Sequence, residues 1–339
     1  MKEFESIINK HLNTLLNEFK KCKSKKKYLE LTRTFYIIYE MINKLNLNID
    51  IPNELEYELN KINIDEYYKK YDNDLLDNID KLYEYNIELS KIGKLLDKRY
   101  PEEYNYFEEY IDIKYSIELA KEFFKYYDKN IYDYFINSIL DKGLFILNNN
   151  IENGITTSSN YILPPYSFMN PSLTAKDFIC IVHESAHNYI KNLNRFINNE
   201  NKNQMLINNL EEVFPSFIEL VAIKFLKDNG NLLREIDIYE KLVDRSVINF
   251  LNSFNKSLLN KDLDNYKDNE AYSYGRILSY HFFDNYLKDA DKTKKDILYF
   301  SIEHYNKEYM LNNYGLNQLN LLSTYKLTKY MDKHYSLEK

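Results

Sequence analysis

Glycine and proline occur only six times each in 339 residues, and long stretches carry neither. A chain so short of helix breakers and turn formers is expected to fold as helices. The apolar spacing agrees. Between 28 and 45, Tyr28, Leu31, Phe35, Ile38, Tyr39, Ile42 and Leu45 recur every three or four residues, laying one apolar stripe along a helix. Tyr239, Val243, Val247, Phe250, Phe254 and Leu258 repeat the pattern. No strand-like alternation of comparable length accompanies them, so the expected fold class is mostly α.

One segment departs from this. Residues 151–171, IENGITTSSNYILPPYSFMNP, hold three of the six prolines, one glycine and two short β-favouring runs, ITT and YSFMN. They predict a small hairpin or edge strand between helical blocks. A boundary is expected near residue 150, between an N-terminal helical region (1–150) and a second helical region (151–339), unless the two form one continuous domain.

Charge and cysteine content narrow the function classes. A net charge of -7 and a pI of about 5.6 disfavour a nucleic-acid partner, because neutralising phosphates supplies most of that affinity. The run KKCKSKKK at 20–27 is too local to reverse this and reads as a solvated helix end or turn. No segment approaches the apolar length needed to cross a bilayer. Nor do the first residues contain a continuous apolar signal core. Two cysteines, Cys22 and Cys180, make no disulfide framework, so a cytoplasmic location is expected. The 34 tyrosines read mostly as core filler with a wet hydroxyl. Nothing in the sequence sets the oligomeric state.

The chemistry concentrates in CIVHESAHNYI, residues 180–190. Thr174 followed by Asp177 is a capping-box-like start, and no Gly or Pro interrupts the chain from there to Phe196. On the expected helix, His183 and His187 stand at i and i+4, about 5–6 Å apart at Cβ, near enough to share one ion. Glu184 is rotated aside, able to act on a water without ligating the metal. A zinc ion with three protein ligands and an open position lowers the pKa of its water to about 7, and Glu184 is placed to act as general base. The alternative is a pair of histidines satisfied in a helical core.

A third ligand must come from another helix. Residues 208–230, NNLEEVFPSFIELVAIKFLKDNG, are largely apolar and close on Asn229-Gly230, a C-terminal cap signal. Glu212 and Glu219 lie seven residues apart, two turns, and share an otherwise apolar face. Carboxylates at a helix start also favour the dipole, and Pro215 suits a first turn. Capping accounts for one glutamate but not for a second deep in the helix. Glu212 is therefore the favoured ligand, Glu211 the runner-up, and Glu219 a carboxylate that orients a ligand histidine.

Together, HESAH, Glu212 at 29 residues after His183, and Glu212-Val-Phe-Pro-Ser-Phe-Ile-Glu219 resemble the thimet oligopeptidase/oligoendopeptidase F family of zinc metallopeptidases. The preceding PPYSFMNPSLTAKDFICIVHESAH is similar to that family's strand, helix start and catalytic helix. The resemblance implies a mostly helical metallopeptidase fold with a deep channel and one zinc ion per chain. It also implies a substrate strand beside the catalytic helix, here the backbone of Ser167, Phe168, Met169 and Asn170, pairing with an extended peptide. The family's oxyanion-stabilising tyrosines would correspond to Tyr274 and Tyr272 in DNEAYSYGRIL. This chain departs at Ala186, where the family has Gly, and at Phe214-Pro215, where it has Ala-Ser. Asp262 stands where a family histidine is expected; His281 reads as a core or surface residue, with substitution for that histidine the alternative.

The expected function is a zinc metalloendopeptidase acting on oligopeptides or unfolded segments. A helical zinc carboxypeptidase would share the metal triad, and a non-catalytic helical peptide-binding protein would match the missing histidine.

Overall fold

The computed structural model describes residues 2–60, 110–147, 154–157, 163–195, 211–232 and 263–303, with 235–237, 240 and 249 besides. The apolar stripe of 239–258, together with Asp262, His304 and His334, lies outside the described residues.

Helices dominate, as the scarcity of breakers requires. Helices α1 (Lys2–Lys21) and α2 (Lys25–Lys44) meet at Ser24, the N-cap of α2, so the lysine run marks the junction of two helices. Phe4, Ile8, Leu12 and Leu15 of α1 pack against Leu31, Phe35, Ile38 and Ile42 of α2. With α3 (Asn53–Asn60) these form one core, which also takes in Leu147, Leu163, Tyr166 and Phe168.

The second core is larger. Helix α4 (Ile113–Tyr127) starts on the Asp112 carboxylate, which accepts from Lys114 N at 2.8 Å. Asp128 caps α5 (Lys129–Tyr134) in the same way, and the chain then widens into π-helical turns over Phe135–Gly143. Three short strands follow, β1 (Leu144–Ile146), β2 (Gly154–Thr156) and β3 (Ser167–Met169). Their order is β1-β3-β2. β3 pairs parallel with β1, Phe145 opposite Phe168, and antiparallel with β2, Ile155 opposite Phe168. The β2–β3 hairpin matches the two runs read in the sequence. β1 was not expected, being three residues long with no alternation to betray it.

β3 joins the two cores through its period of two. Phe168 enters the N-terminal core beside Phe4, at 4.8 Å between ring centroids, whereas Met169 enters the second core. Ser167 shares the Met169 face and is fully buried there.

Helix α6 (Ala175–Asn194) lies against that face. Thr174 caps it, accepting from Lys176 N at 3.3 Å. Asp177 does not close a reciprocal box with Thr174. Its carboxylate instead reaches back to Ser172 N at 2.7 Å, Ser172 Oγ at 2.8 Å and Leu173 N at 2.8 Å. Those bonds hold Leu173 in the left-handed region, at φ 58°, which a branched side chain otherwise avoids.

Helix α7 (Val213–Asp228) carries Pro215 in its first turn, where a missing N–H costs nothing. It stops at Asn229 with Gly230 at φ 68°; Gly230 N donates to Lys227 O and Asn231 N to Leu226 O, the left-handed cap that glycine favours. Almost every side chain of α7 is buried, because α6 and α8 (Leu263–Tyr286) flank it, with α9 (Ala290–Glu303) packing on behind. Among the described residues, no helix is long and apolar enough to cross a membrane.

Asp177→Ala removes a buried acceptor of three bonds, so stability is expected to fall by about 1.5–3 kcal/mol. Urea unfolding would register this as a lower midpoint at unchanged slope.

Candidate metal centre

His183 and His187 face α7 from successive turns of α6, both buried, with Nε2 atoms 3.1 Å apart. Glu212 immediately precedes α7 and makes no side-chain capping bond. Its carboxylate meets both imidazoles instead, Oε2 at 3.2 Å from His183 Nε2 and Oε1 at 3.3 Å from His187 Nε2. Glu211 turns to Lys191 Nζ at 3.7 Å and takes no part. Two turns further along α7, Glu219 Oε1 accepts from His183 Nδ1 at 2.6 Å. A carboxylate only accepts, so Nδ1 carries the hydrogen, and in the neutral ring the Nε2 lone pair points at Glu212.

Arg276 of α8 completes this network. Its guanidinium forks onto Glu219, Nη1 to Oε2 and Nη2 to Oε1, the latter at 3.3 Å. Gly275 brings it there. A Cβ on Gly275 would fall 2.4 Å from Glu212 Cβ and 2.9 Å from Glu212 C, so only glycine lets α8 lie this close to the ligand. Neither residue was singled out in the sequence. The usable signal was a glycine in mid-helix, which costs about 1 kcal/mol against alanine and so wants a packing reason.

The charges are strongly coupled. Burial alone would lower His183, but the carboxylates of Glu212 and Glu219 outweigh it and raise its pKa to about 10 in this metal-free chain. Burial would likewise raise Glu212, yet His187 and His183 hold it well below the usual carboxylate range. For Glu219 burial is opposed by Arg276 first and then by His183, and its pKa is lowered.

These residues fit a small divalent cation. Tetrahedral zinc with bonds of about 2.0–2.1 Å sets its ligands roughly 3.3 Å apart; the two Nε2 atoms are 3.1 Å apart, and Glu212 brings a different oxygen to each of them, at 3.2 and 3.3 Å. Glu212 Oε2 is buried, and its 3.2 Å approach to His183 Nε2 is not aligned as a hydrogen bond, a cost that an ion relieves. His183, His187 and Glu212 form a group that could bind a metal ion. Two imidazoles and one carboxylate are a donor set that suits zinc.

Glu184 points elsewhere, onto the edge strand β2. Thr156 Oγ1 donates to its Oε2 at 2.6 Å. Gly154 lies against it, since a Cβ there would stand 2.7 Å from Glu184 Cγ. Thr156 and Gly154 were also missed in the sequence, although a lone strand glycine signals close approach.

The expected substrate strand needs correcting. Ser167, Phe168 and Met169 belong to the central strand, with β1 on one side and β2 on the other, so their backbone groups are already paired. Asn170 lies just past the end of β3. The edge strand on the Glu184 side is β2. Because Thr157 N donates to Tyr166 O, alternation turns the backbone groups of Gly154 and Thr156 outward, and Lys191 Nζ donates to Thr156 O at 3.1 Å.

Tyr272 and Tyr274 belong to the turn of α8 that carries Gly275. Tyr272 is half-buried, and the side chain of Tyr274 lies outside the described residues. His281 Nε2 is 3.2 Å from Asn285 Nδ2 on the same helix.

Three outcomes are expected. Gly275→Ala should weaken zinc binding roughly 10- to 100-fold, as measured by competition with a chromogenic chelator. His183 must lose its proton to bind zinc, so binding near neutral pH should release about one proton, read as buffer-dependent heat in calorimetry. In the metal-free protein, the raised His183 pKa contributes stability that is complete below 6.5 and lost as pH climbs through about 10. Thermal unfolding without zinc should show that decline.

No protein-family model matches the chain, and no curated protein matches it. Solved structures do. A structure from Bacillus anthracis str. Ames described as an oligoendopeptidase F matches with a TM-score of 0.50 at 14% identity, over 96% of this chain and 65% of that one. A second structure described as an oligoendopeptidase F matches with a TM-score of 0.50 at 12% identity, over 91% of this chain and 64% of that one. The chain thus spans just under two thirds of the length of either structure. Over most of its length, this chain has the fold of the oligoendopeptidase F structures.

Proposed function

We propose that this chain is a zinc-dependent endopeptidase acting on oligopeptides or unfolded segments. One observation carries the reading: the Nε2 atoms of His183 and His187 and the carboxylate of Glu212, one oxygen toward each ring, meet at 3.1, 3.2 and 3.3 Å in a buried site, and the adjacent carboxylate, Glu184, is held on the edge of a sheet.

The residues divide the work. His183, His187 and Glu212 hold the ion, and Glu219 with Arg276 fixes the ring of His183. Zinc bound there supplies Lewis acidity toward a water and toward the scissile carbonyl. An extended peptide adds to β2 through the outward groups of Gly154 and Thr156, as in strand addition. Glu184, on the same side of β2 as the side chain of Thr156, takes the proton of the attacking water at its carboxylate and passes it to the leaving amine. Tyr274, with Tyr272, supplies a phenol from α8 to the oxyanion that develops on the substrate. The oligoendopeptidase F likeness supports a peptide substrate.

Glu184→Gln keeps shape and volume but removes the base. Purified protein and this variant should both carry one zinc per chain by metal analysis. Only the unaltered protein should cleave end-blocked, quenched-fluorescent peptides, and equal cleavage by both would refute the role of Glu184.

A further inference from the structure

Behind Glu184 runs a line of buried and half-buried polar groups that the metal does not use, and its direction is fixed by chemistry. Pro165 O can only accept, so the atom of Asn188 that lies 3.3 Å from it is the donor Nδ2. This orients the amide. Asn188 Oδ1 faces Tyr134, whose O–H donates at 2.7 Å. The other hydrogen of Nδ2 goes to Ser167 Oγ at 3.0 Å. Ser167 therefore keeps its own hydrogen to give, and Thr156 Oγ1 lies 2.9 Å away, nearer than Glu184 O at 3.3 Å. Thr156 accepts it and has one hydrogen left. Two acceptors compete for that hydrogen, Glu184 Oε2 at 2.6 Å and Glu184 O at 3.1 Å. The carboxylate oxygen is the closer of the two, so it wins.

The carboxylate is thus seated by its two neighbours on β2. Oε2 is held by Thr156, and Oε1 lies over Gly154, where a Cβ would stand 2.9 Å from it. Among the described residues Oε1 has no hydrogen-bond partner. One oxygen fixed and one open is the arrangement that aims a proton acceptor. Without the Thr156 hydroxyl, Glu184 keeps its helix but loses the bond that sets its torsion angles and seats its carboxylate over Gly154.

We propose that Thr156 is a positioning residue for the Glu184 base, as the last donor of a one-way hydrogen-bond relay that runs from Tyr134 through Asn188 and Ser167. This rests on the reading of Glu184 as the base of a peptidase. The relay links α5, α6, β3 and β2, so it also ties the strand proposed to receive the peptide to the helix that carries the base.

The test compares zinc-loaded Thr156→Val, which keeps the shape and loses the hydroxyl, with Thr156→Ser, which keeps the hydroxyl. With a quenched-fluorescent peptide, Thr156→Val should lose kcat on the order of 100-fold, with KM and zinc content unchanged, and Thr156→Ser should recover most of it. A Thr156→Val variant with full kcat, or a Thr156→Ser variant as impaired as Thr156→Val, overturns the proposal. Crystal structures of the zinc-loaded unaltered protein and Thr156→Val decide it without turnover. The Glu184 carboxylate should leave its place over Gly154 in the variant, and an unmoved carboxylate overturns the relay. An unaltered, zinc-loaded protein that cleaves no peptide counts against the peptidase reading, and the two crystal structures still decide the role of Thr156.

Discussion

A single buried carboxylate, that of Glu219, joins the three helices on which the candidate metal centre is built. It extends from α7, accepts from His183 of α6 and receives the fork of Arg276 from α8. All three groups are buried, so no water makes up for a lost partner, and removing one strands a charge at a cost of about 3–5 kcal/mol. That penalty sets register. Once His183 and Arg276 are both on Glu219, Glu212 two turns earlier comes opposite both histidines. Gly275, next to Arg276, then comes against Glu212. The ligand set is a consequence of this clamp as much as of its own residues.

The sheet has a different task. With three residues per strand it adds little burial by itself, but β3 faces two cores at once, Phe168 in one and Met169 in the other. Its central place leaves β2 at one edge, and β2 is the strand against which Glu184 rests.

The helical class was legible from the shortage of glycine and proline, and Leu31, Phe35, Ile38, Ile42 and Leu45 of the stripe are buried where the spacing put them. The pairing of Glu212 with Glu219 was legible for a physical reason as well. Carboxylates two turns apart on an apolar face need partners, and here they have them in His183, His187 and Arg276. Local signals carried the ends of α7, since Pro215 and Gly230 act within one turn. What could not be read were contacts without a local signature. Arg276 meets Glu219 across 57 residues, and nothing near either residue names the other. Strand order failed similarly: Leu144–Ile146 is too short to show a period, and without it Ser167–Met169 looks like an edge. Thr156 was hidden inside a run read for its β propensity, where threonine is ordinary.

His183 and Glu184 are neighbours on α6, so their side chains leave the helix about 100° apart. One is held by Glu219 and the other by Thr156, and these anchors stand on different elements, α7 and β2. A helix gripped at two such points cannot turn about its axis without breaking one bond as it compresses the other. Rotation is the soft motion of a helix packed by apolar side chains alone, because such contacts have no direction. Hydrogen bonds to charged groups do have one. The polar groups around α6 therefore stop a rotation that would carry His183 and Glu184 away from their partners together. That explains why so much polarity is buried beside a helix whose packing could have been wholly apolar.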